Sequence, residues 1–120
     1  MAREFQAGDD LLSQLESGYG LIRVLGIDEG DDGEIVWHLL AYSDLFPDGD
    51  SAEGMLKEPE TLSVSIAHMA LTNRAFERTP TAKLLNREIS ESEAQIVAEW
   101  LKNEDRKISD RSVLLMLGLR

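Results

Sequence analysis

The apolar positions of this chain fall into blocks whose period changes along its length. "YGLIRVLGI" at 19–27 carries one charge, Arg23, in a run dense in apolar and β-branched side chains, which predicts a strand. "IVWHLLAY" at 35–42 has the same character. Between them stands "DEGDDGE", rich in the glycine and aspartate that tight turns need, so the runs and their turn predict a β-hairpin. Neither run alternates strictly. Both faces of the hairpin should therefore be covered, which favours a curled sheet or small barrel over an open, half-wet one. Upstream, "DDLLSQLES" reads as a short strand near 10–16 or, equally, as a helical turn. "SDLFPDGDSAEG" reads as a turn-rich loop, since Pro47 fixes its own φ and Asp48-Gly49 suits a tight turn. In "TLSVSIAHMAL", Leu62, Val64, Ile66 and His68 share one parity, the period of a strand. The far end is ambiguous, because Ile66, Met69, Ala70 and Asn73 also fit helical spacing.

"ISESEAQIVAEWLKN" carries the clearest local signal. Ser90 as N-cap and Glu93 three residues on form a capping box, with Ile89 and Ala94 in staple positions. Ile96, Val97, Trp100 and Leu101 follow as one apolar stripe, with Glu91, Glu99 and Lys102 off it. This predicts a helix of about 91–103 that packs a tryptophan onto the sheet. The last apolar run, "ISDRSVLLMLGLR", is either a helix capped by Ser109 or a final strand, the helix being preferred. The expected architecture is α+β: a curled, mostly antiparallel sheet or small β-barrel with one or two C-terminal helices. At 120 residues it forms one domain, β-rich over 5–76, helical over about 91–103, with a C-terminal element at 109–119.

Composition adds exclusions. With 42% apolar and 29% charged residues the chain is ordinary for a globular protein. It has no cysteine, which excludes disulfides, thiolate zinc sites and cysteine nucleophiles and fits a cytoplasmic protein. No apolar run approaches the roughly 20 residues that span a bilayer, and "MAREFQAGDD" lacks a secretory leader pattern. Net charge is −11, and its placement is uneven. Residues 1–60 hold 15 acids and 3 bases, net −12; residues 61–120 hold 8 acids and 9 bases, net +1. Such a field disfavours nucleic acid and anionic membranes and favours a basic protein partner.

Two acidic loops are the candidate chemistry. Asp28, Glu29, Asp31, Asp32 and Glu34 offer hard oxygen ligands of the kind calcium takes. The EF-hand pattern fails, because Gly30 stands where a side-chain oxygen is needed and position 39 is leucine. A solvated turn is the simpler reading, and neither metal nor cofactor is expected. Asp48, Asp50 and Glu53 form the second loop. If both loops share one rim of the sheet, Asp31, Asp32, Glu34, Asp48 and Asp50 make one negative patch with Phe46 as an exposed apolar anchor, a docking surface for a basic protein.

Trp37 and Trp100 suggest a pocket between sheet and helix, with His38 turned to the face opposite Trp37, where it is open to exposure. His68, among apolar neighbours, reads as a hydrogen-bonded core histidine. No phosphate-binding glycine loop, G-x-S-x-G or H-E-x-x-H motif occurs, so a non-enzymatic role is expected. The alternatives are a small enzymatic or ligand-binding domain using that pocket, and a module that self-associates through a sheet edge.

"F-x-x-G-D" at 5–9, "YGLIRVLG" at 19–26 and "ISESEAQIVAEW" at 89–100 together resemble the immunity protein 26 family of bacterial polymorphic-toxin systems. Residues 43–60 and 66–86 depart from that pattern. The resemblance implies a compact β-rich cytoplasmic protein that binds and blocks a cognate toxin. It carries over no catalytic position.

Overall fold

The computed structural model describes residues 5–15, 18–29, 33–78, 81–103 and 108–109. Five strands form one antiparallel sheet: β1 (Asp9–Leu15), β2 (Gly18–Glu29), β3 (Ile35–Phe46), β4 (Val64–Thr72) and β5 (Thr81–Asn86), in the order β4-β3-β2-β1-β5. Three helices accompany it: α1 (Gly49–Met55), α2 (Asn73–Glu77) and α3 (Glu91–Lys102). This is the expected α+β architecture, with a curled sheet rather than a closed barrel. Register shifts interrupt the β1–β5, β2–β3 and β3–β4 ladders. Bulges of this kind bend strands and raise their twist, which accounts for the curl.

The hairpin is present, with Glu29 opposite Ile35 and Ile27 opposite Trp37. Both faces are covered, and the continuous burial of Gly20–Leu25 and Val36–Ala41 is the result. On one face Leu11, Ile22, Val24, Trp37, Leu39, Met69 and Leu71 pack under Ala75 and Phe76 of α2. On the other, Leu21 and Phe46 meet Ala52 of α1, Leu56 and Leu62.

Two elements depart from expectation. Residues 43–54 are not simply a turn-rich loop: β3 runs on to Phe46, and α1 follows. Asp48 caps α1 by accepting the Ser51 amide hydrogen at 2.7 Å. Two glycines make Gly49–Met55 a poor helix former. Burial of Ala52 and Leu56 against Phe46 overrides that propensity. Strand β5, "TAKLLN", was not expected; it pairs with β1 through Leu11↔Lys83 and Ser13↔Thr81. The ambiguous end of β4 resolves as strand to Thr72, whose hydroxyl then caps α2. The predicted element at 109–119 lies outside the described residues except for Ser109, which bridges Leu71 in parallel.

Candidate functional site

The described parts of the two acidic loops lie at opposite ends of β3. Glu34 sits beside the tip of the hairpin and Asp48 beyond the opposite end of β3, with the whole twelve-residue strand between them. At roughly 3.3 Å per residue the path along the strand is about 35 Å. Asp31 and Asp32 lie outside the described residues, and Glu34 is exposed. Asp48 and Asp50 are exposed at the start of α1. Hydrogen bonding from the Ser51 backbone, then from its side chain, holds the Asp48 pKa below its ordinary value. Phe46 is not an exposed anchor: it is 8% exposed and wedged against α1. Leu45, half exposed, is the open apolar side chain beside it, on the other face of the strand.

The N-terminal acidity is also less of a surface property than the sequence suggests. Asp9 and Asp10 are fully buried. Asp10 accepts Arg87 Nε at 2.6 Å and Arg23 Nη1 at 3.2 Å, and Asp9 accepts the Gln6 amide and Asn86 Nδ2. Arg23, the lone charge in its apolar run, is 2% exposed on the same face as Asp10, its cross-strand neighbour. Its guanidinium reaches the Gly8, Arg87 and Glu88 carbonyls and takes a fork on Glu93 at 2.5 and 3.1 Å. Burial opposes the Arg23 charge, yet the bond to Glu93 and the charges of Asp10 and Glu93 outweigh it and raise its pKa. Burial likewise works to raise Glu93, but Arg23 and Ser90 prevail and hold it below the ordinary carboxylate range. The capping box is intact, so Glu93 serves Ser90 and Arg23 at once. The three motifs behind the family resemblance therefore meet here, in a knot that holds the fold rather than on a surface.

Further along the same face lies a second polar group. His38 Nε2 bonds the Asp28 carboxylate, and His38 Nδ1 stands 2.9 Å from His68 Nε2. Because a carboxylate only accepts, Nε2 of His38 carries a proton, and its Nδ1 accepts from His68. The rings lie nearly parallel, and Trp100 of α3 meets His38 in a T-shaped contact at 4.7 Å. His38 does face away from Trp37, as expected, but it is wholly buried rather than exposed. Desolvation lowers the pKa of both histidines; Asp28 partly offsets this at His38, and His38 adds to it at His68.

The pocket of the alternative reading, near Trp37 and Trp100, is not assembled, because the tryptophans lie on opposite faces of the sheet. Trp37 packs on Phe76 with ring centroids 4.4 Å apart and planes tilted by 34°, and donates its indole hydrogen to Asn73 Oδ1 at 2.8 Å. Among the described residues no group of three or more His, Asp or Glu side chains is placed to hold a metal ion, and Asp28 is committed to His38. No described helix is long and apolar enough to cross a membrane. The buried knot and the histidine chain were both missed from the sequence; the isolated Arg23 and the parity of His38 and His68 were the available signals. Comparison with protein-family models, with curated proteins and with solved structures finds no match for this chain.

Proposed function

We propose that this chain is a non-enzymatic cytoplasmic binding protein whose partner is a basic protein, and that the partner is a toxin it inhibits, as the resemblance to the immunity protein 26 family implies. One observation carries the reading: the density of exposed carboxylates on and after α1. Asp48, Asp50, Glu58 and Glu60 are exposed, Asp44 and Glu53 are partly so, and Lys57 is the one cation in residues 44–60. Such a surface attracts a basic partner and steers its approach. Phe46 contributes indirectly, by seating α1. Glu34, beside the hairpin tip, belongs to a separate end and is not needed for a single interface.

The test is co-expression with the neighbouring open reading frame, followed by capture at low salt. Retention of a basic protein is expected, with loss of retention in the Asp50→Lys, Glu58→Lys, Glu60→Lys triple variant. Asp48 is left in place because it caps α1. Glu34→Lys, at the far end, should leave capture unchanged. Absence of any basic partner at low salt counts against the reading, as does full retention by the triple variant.

A further inference from the structure

We propose that the Asp28–His38–His68 chain is an acid-operated latch that holds the C-terminal half of α3 on the sheet and releases it when both histidines are protonated. The geometry accepts one added proton and refuses a second. With both rings neutral, His38 Nε2 donates to Asp28 and His68 Nε2 donates to His38 Nδ1. A first proton enters at His68 Nδ1 without disturbing either bond. A second must enter at His38 Nδ1, which sets two N–H groups against each other across 2.9 Å. The rings then have to part.

Trp100 packs edge-on against both rings, at 4.7 Å from His38 and 6.4 Å from His68. Parting the rings therefore displaces the tryptophan and the helix that bears it. Helix α3 lies on the surface of the sheet, half-exposed along its length. None of its residues is fully buried, Leu101 is 40% exposed, and Val97 lies over Gly26 of β2. Its first turn is tied by Glu93 to Arg23, so the freed part is the C-terminal half, pivoting at that ion pair. The charged and titratable groups facing His38 among the described residues are Asp28 from β2 and His68 from β4. Helix α3 offers the Trp100 ring there, while Glu91, Glu99 and Lys102 are exposed and Glu93 is turned to Arg23. The depressed pKa of each histidine agrees with this arrangement.

Amide hydrogen exchange on the intact chain, corrected for intrinsic rates, tests the latch at pH 7.5 and 5.5. Opening of the α3 amides should increase at least tenfold, since each additional proton bound by the open form gives tenfold per pH unit. The β2–β3 amides should not follow. His68→Gln keeps a donor toward His38 but takes no proton, and it should abolish the increase. Unchanged α3 protection in the wild type, opening of α3 together with β2–β3, or a full response in His68→Gln would each overturn the proposal. Imidazole nitrogen shifts in the wild type provide a check that needs no variant. Uptake of the second proton should coincide with loss of the Trp100–His38 contact, and a doubly protonated pair with that contact intact overturns the latch.

Discussion

Arg23 is where a single residue decides most. It joins β1, the segment before α3 and α3 itself through one guanidinium, and its charge is offset by Asp10 and Glu93. Replacing it with methionine takes the cation from Glu93 and leaves the fully buried Asp10 with Arg87 alone, and should cost about 3–5 kcal/mol in urea unfolding. Arg23→Lys should recover little, because one ammonium cannot reproduce a fork on Glu93 while reaching Gly8 and Asp10. A loss below about 1 kcal/mol for the methionine variant would show that the knot is not what ties these elements together. Gly8 supports the same knot, with φ of 94° and a carbonyl that accepts from Arg23 and from the Arg87 amide. A Cβ there would lie 2.4 Å from the Arg87 carbonyl oxygen, whereas Gly33, at φ 82°, has open space around it. Gly33→Ala should therefore cost only the left-handed backbone penalty of about 1–2 kcal/mol, and Gly8→Ala clearly more, as compared by thermal unfolding.

Helix α3 is held by its cap, its ion pair and its tryptophan rather than by deep burial. Ser90→Ala removes the acceptor for the Glu93 amide and should cost about 1 kcal/mol. The same attachments give the fold its pH profile. His38 and His68 have folded pKa values below their ordinary 6.5, so below that pH the unfolded chain takes up more protons than the folded one. Their contribution is complete above pH 6.5 and declines as pH falls from there. Glu93, depressed below its ordinary 4.5, keeps its contribution above that pH and loses it as pH falls through its folded value. Urea midpoints at pH 7.5, 5.5 and 3.5 should fall in that order, and equal midpoints at 7.5 and 5.5 would contradict the histidine assignment. Helix α1 teaches the opposite lesson about elements, since it forms against its own propensity because Phe46 and Leu62 offer Leu56 a place to be buried.

Across the whole molecule, the sheet divides its charges by depth and by end. Asp9 and Asp10 are spent inside, Asp28 is tied to His38, and the exposed acids described in the first half fall beside the hairpin tip and on and after α1. An interface at the α1 end implies an association rate that depends on salt. Raising ionic strength from 50 to 500 mM should slow capture of a basic partner by tenfold or more, read by stopped-flow or surface binding, while dissociation changes less. A salt-independent association rate would place the interface elsewhere.

Much of this was legible in the residue order. The β2–β3 hairpin followed from two apolar runs around a glycine-aspartate turn, and α3 from a capping box and a stripe, because both signals are local and repeat along the chain. Strand β5 and helix α1 were not legible, since short segments of weak propensity take their form from what they pack against. Nor were the partners of Arg23, His38 and Phe46. Parity can say which side of a strand a residue faces, but the register of the sheet and the docking of the helices determine what it meets there. The amount of acid in the first half of the chain is a property of the sequence alone. Tertiary structure decided which acids are neutralised inside and that, among the described residues, Glu34 and the acids of α1 lie at opposite ends of a twelve-residue strand.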